Sequence, residues 1–354
     1  SEFENLQLMT ATGTYALNSD WQRVTFLDQV PDVNNVVLQG GTALVAVTAT
    51  ASSDGFFLED LGGSVAAKAK VSMRGGDDFL GLNNLDLDAA TQHFFGGAGF
   101  DEVLIKGGLS GLDLFDGFEQ LGIIAGAGTY NLQASDFTNV RFAGATAGSV
   151  FITNMASGGT LLLGSDVSNL VSISVANGVN SKTESLNIEF VGSTQVGTQS
   201  TGVYLDNLSE LTISSLSANP ATAYLSSLGS GTDYATLNLS GAKFVTVKAS
   251  TGADLFIGHV VITNSAGVDL SSIANGITDF DPTGAIIEGG AGNDTLIGGD
   301  GADTISTGAG ANKVYGSLGI DTFNFLSASG SNAIAFTAQS QSTFNAGDIV
   351  NNFN

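Results

Sequence analysis

Four consecutive blocks of nine residues over 289–324, GGAGNDTLI, GGDGADTIS, TGAGANKVY and GSLGIDTFN, constrain this chain more than any other feature. The eighth position is always apolar (Leu296, Ile305, Val314, Phe323) and the fourth always glycine (Gly292, Gly301, Gly310, Gly319). The sixth holds Asp294, Asp303, Asn312 and Asp321. One inward apolar residue per block suits a strand of only about three residues, because side chains alternate faces along an extended chain. Glycine lets the intervening turn take positive φ and bring backbone carbonyls together. A carboxylate at the sixth position adds hard oxygen to those carbonyls, which is the donor set Ca²⁺ prefers. Two blocks of nine make a coil of 18, so every second turn stacks on the same edge, about 4.8 Å from the next. That stacking pairs Asp294 with Asn312 and Asp303 with Asp321, close enough for one ion to bridge each pair. The third block departs from the pattern, with Thr307 for the first glycine and Asn312 for the aspartate. Its site has one charged ligand fewer and is expected to bind more weakly.

The blocks fit the nonapeptide pattern G-G-x-G-x-D-x-U-x, and the segment resembles the repeats-in-toxin (RTX) family. The resemblance implies a parallel β-roll with Ca²⁺ between successive turns, and export by a type I secretion system. The metal-ligating candidates are Asp294, Asp303, Asn312 and Asp321, joined by Asp300 and by Gly289, Gly290, Gly292, Gly298, Gly301, Gly310 and Gly319. A looser match is Gly96-Gly97-Ala98-Gly99-Phe100-Asp101-Glu102-Val103-Leu104. Upstream, Arg74-Gly75-Gly76-Asp77-Asp78-Phe79-Leu80 is a shortened version, with Asp78 in the ligand place. Asp78 and Asp101 are 23 residues apart, a reasonable single coil of an irregular solenoid. Asp78, Gly96, Gly99 and Asp101 are therefore read as a further calcium site. Gly252-Ala253-Asp254-Leu255-Phe256 is a half-motif that carries little alone.

Outside these segments short β-type runs recur between Gly, Asn, Asp and Ser: Asn35–Leu38, Leu44–Val47, Val150–Thr153, Val171–Val175, Leu186–Phe190, Leu211–Ser214, Ala235–Leu239, Phe244–Lys248 and Leu255–Ile257. Apolar and small polar residues alternate within them, as strands with one buried face require. The expectation is an all-β, elongated parallel β-solenoid or calcium β-roll with a less regular N-terminal β region. Its parts are an N-terminal β region at 1–72, which holds the only Trp (Trp21), a first Gly/Asp-rich calcium segment at 73–125, a Ser/Thr/Ala/Val-rich solenoid at 126–285 and the RTX roll at 286–354. The chain also reads as a piece of a longer polypeptide. With 48 Gly but only 3 Pro and no Gly-X-Y period, collagen is excluded. The 22 Phe argue against a disordered chain.

Charge narrows the partners. There are 34 acidic residues against 10 basic ones, a net charge of −24. Phosphate backbones and anionic membrane surfaces both need Lys and Arg, so neither nucleic acid nor membrane is an expected partner. No apolar run reaches the roughly 18 residues of a membrane helix. A cation is the natural counter-charge, and without any cysteine a secreted chain must draw stability from core, metal or assembly. No catalytic signature emerges. His93 and His259 do not form His-Glu-x-x-His, there is no Gly-x-Ser-x-Gly, and the acids cluster in turns instead of standing as a catalytic pair. Asn84-Leu85-Asp86-Leu87-Asp88 fails as an EF-hand, since Ala89 and Phe95 stand where Gly and Glu are needed.

Three readings stay open, none of them enzymatic within this chain. The first is a calcium-dependent surface-layer (S-layer) lattice protein that self-assembles on a bacterial cell. The second is an RTX adhesin binding a surface or polysaccharide, and the third the non-catalytic part of a secreted hydrolase. The lattice reading implies homo-oligomerisation, Ca²⁺ as partner, and cell-surface polysaccharide held through a region outside this sequence. Gly117–Leu121 and Ile277–Asp281 read as connectors. Regular Thr-x-Thr or Thr-x-Asn ladders, which an ice-binding face would show, are not evident.

Overall fold

The computed structural model describes residues 5–8, 12–17, 23–27, 36–40, 46–59, 70–83, 93–106, 114–132, 137–144, 148–175, 184–206, 208–216, 218–228, 235–255, 257–270, 285–289, 293–299, 302–317, 319–325, 332–334 and 349–351. Among them there is no α-helix, and the strands pair in parallel, each with a strand one coil away. The fold is an all-β parallel solenoid. It divides into two compact units, Ser1–Ala156 and Ser157–Asn354.

In the first unit one sheet follows the order Asn5–Leu8, Arg23–Phe26, Ala46–Thr48, Lys70–Ser72, His93–Phe95, Phe115–Asp116. The other runs through Gly13–Leu17, Val36–Gly40, Gly55–Glu59, Phe79–Asn83, Glu102–Lys106, Gln120–Ala125 and Asn139–Phe142. The core between them is aromatic: Phe94 stacks on Phe115 with ring centroids 5.0 Å apart, and Phe115 also meets Phe118 and Phe137. Each such side chain withdrawn from water contributes about 2–3 kcal/mol.

The second unit repeats the scheme with aliphatic residues. One sheet contains Gly159–Leu163, Ser185–Phe190, Glu210–Ser215, Ala235–Gly241, Ile257–Ile262, Ile286–Glu288, Thr304–Ser306, Thr322–Asn324 and Ile349–Asn351. The other contains Leu170–Val175, Val203–Asp206, Ala221–Leu228, Val245–Leu255, Val268–Asp269, Thr295–Gly299, Lys313–Ser317 and Ala333–Ile334. Ser185–Phe190 buries Leu186, Ile188 and Phe190 and leaves the residues between them half-exposed. That is the period-two pattern of a sheet with one wet face.

Among the described residues the expected strands coincide with observed ones, Val150–Thr153 with a further strand Val150–Met155, but Phe244–Lys248 covers only the first part of Val245–Leu255, and one expectation needs correction. The run Leu255–Ile257 is not a strand of its own; it straddles the end of Val245–Leu255 and the start of Ile257–Ile262. Three apolar residues in sequence look like one short strand, yet the first and last belong to different sheets of the coil. Trp21, Asn84–Asp88, Phe256 and Ile277–Asp281 lie outside the described residues, as do the side chains of Gly252–Leu255.

Candidate functional site

The nonapeptide segment has the expected register. Leu296 pairs with Val314 and Ile305 with Phe323, and all four are buried. Successive coils are thus offset by 18 residues, and the sixth-position side chains stack on two edges.

On the first edge Asp303 lies over Asp321. The Asp303 N–H donates to Asp321 Oδ1 at 3.0 Å, and the Ala285 N–H to Asp303 Oδ1 at 2.7 Å. Each carboxylate uses one oxygen to hold the coil before it, and Asp303 buries the other, Oδ2. A Cβ on Gly298 would overlap that Oδ2 and stand 2.8 Å from the Gly316 carbonyl oxygen of the next coil. A Cβ on Gly316 would likewise overlap Asp321 Oδ2. At Gly298 and Gly316 glycine is therefore required by close approach, because carboxylate oxygens, joined at Gly298 by a carbonyl oxygen, occupy the space a side chain would fill. Two or more such oxygens facing one another repel unless a cation lies between them, and a hard oxygen set suits Ca²⁺. The residues fit the ion.

The second edge differs. The Asp294 N–H donates to Asn312 Oδ1 at 2.8 Å, and the Val268 N–H to Asp294 Oδ1 at 2.9 Å. Asn312 then turns its Nδ2 into the turn and donates to the carbonyls of Thr307 at 3.1 Å, Ala309 at 3.3 Å and Gly310 at 3.5 Å, and to Asn332 Oδ1 at 3.0 Å. The amide orientation follows from its partners, since one end faces an N–H donor and the other only acceptors. Inside its own turn, Asn312 places hydrogen-bond donors where carbonyls would otherwise face a cation. The sequence expectation of a weaker site at Asp294/Asn312 rested on the missing charge; the structure adds that the Asn312 amide donates to the carbonyls of its own turn. Gly289, Gly310 and Gly319 lie in these turns, the last two with φ of 98° and 120°. Gly290, Gly292, Asp300 and Gly301 lie outside the described residues.

The first unit carries a third stack. Its coil is longer, and Leu80 pairs with Val103, so Asp78 and Asp101 lie one above the other as their 23-residue spacing suggested. The Asp54 N–H donates to Asp78 Oδ1 at 2.7 Å, the Asp78 N–H to Asp101 Oδ1 at 2.8 Å, and the Asp101 N–H to Glu119 Oε2 at 2.8 Å. Asp54 and Glu119 were missed in the sequence. Asp54 follows no glycine run, and Gly117–Leu121 read as a connector, whereas Glu119 enters the column and Gln120–Ala125 is a strand. Asp78 and Asp101 are 3% and 0% exposed, and neither Oδ2 accepts a hydrogen bond. Burial, then the charges of Asp101, Asp54 and Asp77, pushes the Asp78 carboxyl up to about 7. Burial, then Glu119 and Asp77, pushes Asp101 up to about 6. Gly96 faces this stack, for its Cβ would stand 2.7 Å from Asp101 Oδ2 and would overlap the Gly117 carbonyl oxygen. Gly99 has φ of 140° and packs against the Gly76 carbonyl.

Asp166 shows a carboxylate that protein alone satisfies. Burial would raise it, but donors from Thr194, Ser193 and Gln195 outweigh that and hold it below the usual carboxylate value. Among the described residues no group of three His, Cys, Asp or Glu side chains converges on a point that could hold a metal. Any cation in these turns therefore relies on backbone carbonyls beside one or two carboxylates. The histidines are placed apart from the turns: His93 is exposed and stacked on Phe95, and His259 lies 3.7 Å from Glu288. Thr236 and Asn238, Thr304 and Ser306, and Thr322 and Asn324 share outward columns, but His259 and Val261, then Ile286 and Glu288, interrupt them. No unbroken Thr/Asn ladder forms there.

Residues 288–323 match the family model of the RTX calcium-binding nonapeptide repeat, in four copies. No curated protein and no solved structure matches the chain.

Proposed function

Because residues 288–323 are RTX calcium-binding repeats, we propose that this chain is a secreted calcium-dependent structural protein, a lattice subunit of a bacterial surface layer exported by type I secretion. The observation that carries the calcium part is the Asp303/Asp321 edge. There, two stacked coils bring carboxylate and carbonyl oxygens onto positions that admit only glycine. Asp303 and Asp321, with the turn carbonyls around Gly298 and Gly316, would hold the ion, and the ion supplies charge neutralisation between rungs.

Extracellular-type oxygen sites bind calcium at about 10⁻⁴–10⁻³ M. Such sites stay empty in the cytosol and fill outside the cell, so binding energy becomes folding energy after export. Until then, a net charge of −24 works against compaction. The lattice reading draws on that acidity, on the long Ser/Thr/Ala/Val-rich β region, on Gly/Asp-rich segments that are scattered rather than single, and on the absence of cysteine. Further copies of the chain and Ca²⁺ are its partners, with cell-surface polysaccharide as the anchor. We read it as non-enzymatic.

Negative-stain microscopy of the purified protein, before and after addition of millimolar calcium, tests the proposal. Ordered two-dimensional arrays that appear with calcium and disperse in EGTA are expected. Soluble monomers with saturable glycan binding would replace the lattice with an adhesin.

A further inference from the structure

We propose that the two outward faces of the second unit are complementary and meet in neighbouring copies of this chain. The face bearing Tyr204, Tyr224, Lys248 and Lys313 on one copy packs on the face bearing Glu189, Glu210 and Glu288 of the next. The pairing rests on the lattice reading above and names the surfaces that such a lattice would use.

Cations and anions are sorted between the faces. In the sheet that contains Ser185–Phe190, Glu210–Ser215 and Ile286–Glu288, alternate residues turn away from the core, and Glu189, Glu210 and Glu288 are the acids among them. The strands of that sheet in the second unit contain no Lys or Arg, and their only other ionisable side chain is His259, 3.7 Å from Glu288. The described Lys side chains of the second unit lie elsewhere. Lys248 and Lys313 turn outward from the other sheet, and Lys243 is exposed in the bend that leads into it. Asp269 is the one acid among the described side chains of that sheet. Copies of a chain with net charge −24 repel one another in most orientations. Setting Lys against Glu is the orientation in which opposite signs meet, and that fixes partner and register.

Each face also carries an apolar anchor. Tyr204 is 47% exposed, and its register partners on the neighbouring strands are Ser172 and Ser227, too short to cover the ring. On the next strand Lys248 Nζ lies 5.4 Å from the centroid of the Tyr224 ring. That contact holds the ammonium against the sheet before any partner arrives, so less side-chain freedom is lost on binding. On the acidic face Ile286 is 50% exposed between His259 and Thr304. Elsewhere the outward side chains are short, as Thr222 beside Thr246 and Asn187 beside Thr212. Flat surfaces of this kind approach closely, with apolar anchors ringed by polar residues. Because the two faces differ and lie on opposite sides of one core, the contact is heterologous and propagates from copy to copy instead of closing at a dimer.

Sedimentation velocity of the full chain in millimolar calcium, with negative-stain images of the same samples, tests the pairing. The parent is compared with Lys248→Glu/Lys313→Glu, Glu210→Lys/Glu288→Lys and Tyr204→Ser. Each charge-reversed variant alone is expected to associate about tenfold more weakly than the parent or worse. An equimolar mixture of the two should recover association, because contacts between unlike variants again join opposite signs. Tyr204→Ser should weaken association about tenfold. Should a double variant fail to fold by circular dichroism, the single changes Lys248→Glu and Glu210→Lys take its place. Parental assembly by both reversed variants would overturn the pairing and leave a lattice built through other surfaces. A mixture no stronger than its components would overturn it as well. A parent that stays monomeric in calcium would overturn the pairing and the lattice together.

Discussion

In the nonapeptide turns a single atom at the sixth position separates a carboxylate edge from an amide that satisfies its own turn. Asp303 ends in a second oxygen, Asn312 in an NH₂ group, and the same sixth position therefore either completes a ring of acceptors or supplies the donors that ring lacks. Asn312→Asp should convert the second kind of turn into the first. In calcium the variant is expected to bind one ion more than the parent. In chelator it should be less stable by about 1–3 kcal/mol, because three carbonyls lose their donor and a buried charge is added. Ion counting together with melting in EGTA checks both signs. Unchanged stoichiometry and an unchanged melting temperature would remove the role assigned to the Asn312 amide.

Between elements, the carboxylate columns act as side-chain continuations of the β-ladder, each linking one coil's turn to the next where strand hydrogen bonds stop. In the first unit this linkage is coupled to protons. Asp78 and Asp101 titrate near 7 and 6 in the folded chain, against about 3.9 in an unfolded one. The folded state thus binds more protons across that interval. Without metal, the stability these groups contribute is fully present below about pH 4 and lost as pH rises through 6 to 7. In EGTA, raising the pH from about 4 to 8 should lower the melting temperature of the parent more than that of Asp78→Asn/Asp101→Asn, whose amides hold no such proton. A parent curve parallel to the variant's would contradict the protonation ascribed to this column. A cation bound to this column would compete with those protons, so its affinity would strengthen as pH approaches 7.

For the whole molecule the consequence is conditional stability. The strands of the nonapeptide segment are as short as three residues and bury one central side chain each, Ile305 and Phe323, whereas Ala221–Leu228 buries four. Thin coils gain less from apolar burial per residue ordered and depend more on the ion. At 1 mM calcium a site with a dissociation constant near 10⁻⁴ M adds about 1.4 kcal/mol, and several sites add together. Removing calcium with EGTA is therefore expected to reduce the β-type circular dichroism signal and lower the melting temperature by roughly 10 °C or more. Equal spectra and equal melting with and without chelator would mean that core packing alone holds the fold.

The sequence by itself determined the features that covalent spacing controls. A nine-residue period allows one inward residue per strand and one acid per turn, so the 18-residue coil, the buried column Leu296, Ile305, Val314, Phe323 and the pairing Asp303/Asp321 were all legible. The 23-residue step from Asp78 to Asp101 was legible too, because a glycine turn precedes each of them. Tertiary structure alone decided where coils of unequal length come into register. It brought Asp54 and Glu119, neither marked by the repeat, into one column with them. It also fixed the direction of the Asn312 amide, which depends on donors and acceptors from its own turn and from two neighbouring coils. Spacing along a chain sets which residues can face inward. Hydrogen-bond complementarity across coils sets which of them meet, and that exists only once the coils are stacked.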